Sequence, residues 1–178
     1  LAVPALRRQI PLVTNAAIRA ELVLLLGLYQ DPRNVPDLMD LLRAPKFAAR
    51  AVPVLEGSTG VDLKSVPDRI SAIENWWRGN KDVAQWQWLL DGLRRAEVPT
   101  KLTSDNFASD GGMSSVPELA RLMVDVEYSR LWVLCSAVLR TVTKKDFGVV
   151  TEQTPPDTRL GIAGRYRLVA ESAAAEKR

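Results

Sequence analysis

Apolar side chains recur at helical spacing along almost the whole chain, and no stretch alternates convincingly with period two, so the pattern predicts α-helices and no sheet. Val3, Leu6, Ile10 and Val13 form a first stripe, which Pro11 bends or ends. A cap at Thr14 or Asn15 opens a second helix, where Ile18, Leu22, Leu25, Leu26 and Tyr29 make an apolar face wide enough for burial between neighbours. The turn cluster Asp31-Pro32-Arg33-Asn34 leads into a helix with Pro36 in its first turn and Leu38, Leu41 and Leu42 on its face. Pro45 is expected to close that helix. A short one follows with Phe47, Ala51, Val54 and Leu55, interrupted at Pro53 and ended by Gly57 to Gly60.

Ser65 to Asp68 then opens a helix whose Ile70, Ile73 and Trp77 share a face, and Asn80 to Asp82 opens another with Val83, Trp86, Leu89, Leu90 and Leu93. Residues 98–115 are rich in Ser, Asp, Gly, Asn and Thr and are expected to form a linker or mobile loop. Past them the pattern restarts. Val116-Pro117 begins a helix with Leu119, Leu122 and Met123, and Tyr128 to Val142 forms a second, strongly apolar one. Pro155-Pro156 opens a last helix through about Glu171, with a frayed, helix-compatible tail from Ser172 to Arg178. The expectation is an all-α chain of about seven helices. Its units are 1–97 and 116–178, with 98–115 between them, or else one continuous domain.

The two units are related. Val35-Pro-Asp-Leu38 resembles Val116-Pro-Glu-Leu119, and Leu55 to Leu63 aligns without gaps to Leu139 to Phe147, so Thr59, Asp62 and Leu63 correspond to Thr143, Asp146 and Phe147. Pro67-Asp68 then matches Pro156-Asp157, and Trp77-Arg78 matches Tyr166-Arg167. The offset grows from 81 to 84 to 89 residues, which puts the length changes in the connections. A shorter echo, Val3-Pro-Ala-Leu6, precedes Val35-Pro-Asp-Leu38 by 32 residues, a spacing that fits one antiparallel helix pair of a solenoid.

The segment Leu24 to Leu42 looks like the junction between consecutive HEAT repeats of the short bacterial type, in which an Asp-Pro-Arg turn leads into a Val-Pro-x-Leu helix. Thr59 to Leu63 and Thr143 to Gly148, each followed by a Pro-Asp-led helix with a terminal aromatic, are similar to an extension at the end of such repeats. The resemblance implies a HEAT-like α-solenoid of antiparallel helix pairs, with Asp31 and Arg33 linking neighbouring turns by hydrogen bonds. Residues 80–115 fit it least.

Charge and chemistry narrow the function classes. Hydrophobic residues make up 47% of the 178 and charged ones 25%, as in an ordinary globular protein. The net charge of +3 is unevenly spread: residues 1–50 carry seven Lys/Arg against four Asp/Glu, 51–129 eight against twelve, and 130–178 nine against five. No basic run is longer than a pair. A nucleic-acid-binding role using the basic terminal thirds is therefore the alternative reading rather than the leading one. There is no histidine and one cysteine, Cys135, in an apolar run. Serine–histidine and cysteine–histidine arrangements are thereby excluded, and no catalytic, cofactor-binding or metal-ligating set is predicted. Asp62 and Asp146 are read as loop anchors. No apolar run is long enough to span a membrane as a helix. The absence of an initiating Met leaves the compartment unknown and an exported origin open.

Five tryptophans remain: Trp76, Trp77, Trp86, Trp88 and Trp132. Trp77 and Trp86 fall on apolar faces and are expected in the core. Trp88 lies on the other side of its helix from Trp86, where it either packs against the other half or is exposed at an interface, and Trp76 flanks its stripe. Because tryptophan and arginine dominate binding hot spots, Trp76, Trp88 and Arg95 are the candidate partner-binding residues. The reading is a non-catalytic helical-repeat scaffold that mediates protein–protein interaction or self-assembly.

Overall fold

The computed structural model describes residues 2–176, with side chains from Ala5 onward. Among these residues the chain is helical without a strand. It has ten α-helices where about seven were expected: α1 (Ala2–Gln9), α2 (Ala16–Gly27), α3 (Val35–Leu42), α4 (Pro45–Thr59), α5 (Arg69–Asn80), α6 (Gln85–Arg95), α7 (Asp105–Ala108), α8 (Val116–Asp125), α9 (Ser129–Thr143) and α10 (Pro156–Ala175). Val3 of the first stripe and the Lys177-Arg178 pair lie outside the described side chains.

Asn15 is the cap of α2, its side chain accepting from the amides of Ala17 (3.0 Å) and Ile18 (3.2 Å). Asp31 turns the chain into α3 by accepting from the Arg33 amide at 2.9 Å and holding the Arg33 guanidinium. Pro45 does not close α3 but starts α4. Ala44 before it is extended (φ −97°, ψ 104°), as a residue preceding proline prefers, and the proline takes the first helical position, where no amide is needed. Helix α4 then runs unbroken past Pro53.

The two predicted halves share their geometry at the end of their second helices. Thr59 and Thr143 each donate a hydroxyl proton to the carbonyl four residues back, Leu55 and Leu139, both at 2.7 Å. Each threonine oxygen then accepts from the amide two residues on, Val61 at 3.3 Å and Lys145 at 3.2 Å. The residue between is left-handed in both, Gly60 at φ 74° and Lys144 at φ 56°. Asp62 and Asp146 are loop anchors: Asp62 accepts from the amide and hydroxyl of Ser65, and Asp146 from the Gly148 amide. Further on, Ile73 of α5 and its counterpart Ile162 of α10 are both buried.

Two apolar clusters form, one gathered from Ile10 to Ile73 and the other from Trp88 to Tyr166, so α6 of the first predicted unit packs into the second cluster, and Trp76 and Trp77 pack against both. The halves meet where α4 packs on α9. A side chain on Gly57 would run into Val133, 2.6 Å from the ideal Cβ position, so glycine permits the close approach. Arg130 pairs with Asp62 at 3.5 Å, and Lys64 with Glu152 at 3.0 Å. At the far end of α9, Arg140 donates to the Tyr29 carbonyl (2.8 Å) and to the side chain of Gln30. Gln30 is buried and left-handed (φ 49°). It donates to the Val150 carbonyl (3.1 Å), while its own carbonyl accepts from Gln85 (2.8 Å), which also reaches the Ser58 carbonyl at 3.1 Å. Gln30 and Gln85 together thus tie the end of α2 to α4, α6, α9 and the loop before α10. Cys135 lies wholly inside the second cluster, and burial pushes its thiol pKa far up.

Two expectations about apolar faces are corrected. In α2 the buried side is Ala20, Val23, Leu24 and Leu26, whereas Ile18 and Leu25 are exposed. Among the described residues no element covers Ile18 and Leu25, so the wide face predicted for burial is divided between core and solvent. In α6 Leu89 and Leu93 are buried as expected and Trp88 joins them, whereas Trp86 and Leu90 are half-buried and pack against the edge of the cluster. The helix begins at Gln85, and both of its sides carry large apolar residues.

Candidate functional site

That second correction decides where a site can lie. Trp88 is 1% exposed, and its indole N–H donates to the Asn80 carbonyl at 3.1 Å. It packs edge-on against Trp76 and Trp77, with ring centroids 5.1 and 6.0 Å away. A partner cannot reach it, so Trp88 is withdrawn as a contact residue: its indole fills the junction between α5 and α6. Trp76 is half-buried in the same trio. Arg95 is exposed at the last turn of α6, two helical turns from Trp88. The structure brings the two tryptophans together as interior packing.

The opposite side of α6 forms a groove instead. Val83, Trp86, Gln87, Leu90, Asp91 and Arg94 follow one another at helical spacing along one wall, and the segment Val98 to Ser104 supplies the other. The groove encloses about 700 Å³, within the range of ligand clefts. Its floor is apolar, with Leu102 buried and Leu90 and Val98 half-buried. Its rim is polar and nearly neutral, since Arg94 pairs with Asp91 at 2.9 Å.

The far wall is built by residues 98–115, which are folded rather than a bare linker. Glu118 of α8 accepts from the Lys101 amide (2.9 Å) and the Thr100 hydroxyl (3.2 Å), and Asn106 accepts from the Thr103 amide (2.8 Å). Arg121 binds the same Glu118 carboxylate at 2.8 and 2.9 Å, and it holds the carboxyl at a pKa of about 2 against the burial that would raise it. Beyond α7, Gly111 (φ 68°) and Gly112 (φ 88°) turn the chain back. Gly112 also sits where a Cβ would meet Val142 at 3.1 Å and Phe107 at 3.7 Å. This turn sets Phe107 flat on Trp86, centroids 4.8 Å apart and planes 9° from parallel. The stacked pair holds the Trp86 ring in place at the groove wall, with less rotamer freedom to lose on contact with a partner.

Sequence reasoning put Trp86 in the core and gave Phe107 no role. One signal was available: an aromatic in an otherwise polar, glycine-containing stretch needs a packing partner.

A second cleft, of about 430 Å³, lies between α2, α4 and Thr151–Gln153, and its charged groups are already paired, Arg50 with Glu21 and Glu152 with Lys64. Among the described residues no group of three or more Asp, Glu or Cys side chains is placed to hold a metal. No helix there is long and apolar enough to cross a membrane. No family model, curated protein or solved structure matches this chain.

Proposed function

We propose that this chain is a non-catalytic helical-repeat scaffold of HEAT-like character, and that it holds a segment of a protein partner in the groove along α6. The carrying observation is the Trp86–Phe107 stack on a neutral-rimmed, apolar-floored groove. Preorganised aromatics beside apolar side chains are the chemistry of protein hot spots. The groove also lies in residues 80–115, where the two halves depart from each other and where a repeat scaffold differs from its own plan. Repeat architecture is supported by the matched helix pairs α3–α4 and α8–α9, each closed by a short connection and, at the end of its second helix, the same threonine-anchored left-handed turn. In this reading Trp76 and Trp88 hold α6 in place, and Arg95 lies on the side of α6 away from Trp86.

A photoreactive residue at Ser104, on the groove wall, tests the proposal in the native cell. A discrete protein adduct that disappears in Leu90→Asp is the expected result. Absence of a protein adduct, together with nucleic-acid binding that collapses as salt is raised, would favour use of the basic terminal thirds instead.

A further inference from the structure

The edge of the molecule formed by α2 and the turn before it has a different chemistry from the groove. Among the described residues, three of the six exposed large apolar side chains lie here: Leu12 (71% exposed), Ile18 (54%) and Leu25 (47%). Ile18 and Leu25 are seven residues apart on one side of α2, with half-buried Leu22 between them. Leu12 ends the 3-10 turn Ile10–Leu12 and is the most exposed of the six, so it projects into solvent.

Cations surround this stripe. Arg8 is exposed one turn before Leu12, and Arg19, exposed, follows Ile18 on one flank of α2. On the other flank Glu21 is held by the Arg50 guanidinium at 2.6 and 2.7 Å, with the exposed Lys46 close enough to lower the Glu21 pKa further. Glu21 and Arg50 thus neutralise each other, and Arg8, Arg19 and Lys46 stand as three exposed cations beside the stripe.

We propose that this edge docks on the surface of an anionic lipid bilayer. Leu12, Ile18 and Leu25 enter the boundary between headgroups and acyl chains, while Arg8, Arg19 and Lys46 face the lipid phosphates. Projecting leucines ringed by basic residues gain from both parts of that environment at once. A nucleic acid would meet the cations but leave the leucines in water. The site needs no change in the α6 groove and stands independently of the partner proposed there.

Vesicle sedimentation tests it, using the whole chain with phosphatidylcholine vesicles made with or without phosphatidylglycerol. The chain should pellet with the anionic vesicles and remain in solution with the neutral ones, and raised salt should release it. Arg8→Gln and Arg19→Gln should each weaken partition about fivefold. Leu12→Asp should weaken it on the order of tenfold while leaving the circular dichroism spectrum unchanged, because Leu12 supports no core contact. Failure to pellet with anionic vesicles would overturn the proposal, as would Leu12→Asp and Ile18→Asp binding like the parent. So would a dimer in solution that Ile18→Asp converts to monomer, since a second copy would then be what covers the stripe.

Discussion

The apolar run Leu22 to Tyr29, which begins in α2, and Leu131 to Leu139 in α9 are of similar length, yet they meet different surroundings. Every residue from Leu131 to Leu139 is buried, because α4, α6, α8 and α10 all pack on α9. Helix α2 has neighbours on its inner side only, in α1, α3 and α4, and it leaves Ile18 and Leu25 to solvent. Apolar content states how much surface a helix could bury. Its place in the stack decides how much it does, and the remainder is available for other contacts.

The most direct way to break this comparison is to remove the same side chain from each helix. Leu134→Ala should cost about 3 kcal/mol in urea denaturation, since it opens a cavity in a fully enclosed layer. Leu25→Ala should cost less than about 1 kcal/mol, because only part of that side chain leaves water on folding. Equal costs would mean that α2 is covered in solution.

Acid should sharpen the contrast from the α9 side, where Glu118 secures the 98–104 wall to α8. Its folded pKa of about 2 lies below the ordinary 4.5, so its contribution is complete above about pH 4.5 and is lost as pH falls toward 2. Glu118→Gln should therefore flatten that limb of the stability curve, removing about 1 kcal/mol near neutrality after solvent screening of the partly exposed Arg121. Urea midpoints measured across that pH range check it.

A smaller pair of substitutions compares the two halves at their shared left-handed turn. Lys144→Gly should stabilise by up to about 1 kcal/mol, relieving a side chain at φ 56°. Gly60→Ala should destabilise by about 1 kcal/mol or more, both for its φ of 74° and because Leu134 lies 3.0 Å from the added carbon. Thermal melts of the two variants should shift in opposite directions. The smallest effect expected is in Asn15→Ala, which removes the cap of exposed α2 at a cost of ~0.5–1 kcal/mol in the same assay.

Periodicity and turn residues made most of the helices legible, together with the Asn15 cap and the internal correspondence of Thr59 with Thr143. What they could not supply was rotational phase. In helix α6 Leu89 and Leu93 lie between Trp86 and Trp88 around the axis, so spacing alone does not say whether the buried arc extends toward Trp86 and Leu90 or toward Trp88. Trp88 was therefore offered to a partner while Trp86 was buried on paper. Proline was ambiguous for a related reason: Pro45 marks a helix boundary, but its missing amide suits a first turn as well as a stop. In residues 98–115 local composition described polar side chains, whereas the structure spends several of them on backbone amides and hides Leu102 beneath them.

The isolation of Cys135 has a practical use. As the sole thiol, wholly enclosed in α9, it cannot react with an alkylating reagent until the layers around it separate. Its labelling rate, followed by mass, would count those openings in the native protein without denaturant. A groove ligand or a vesicle that favours the closed state would slow the reaction, so one sulfur atom can serve as a gauge for either proposed contact.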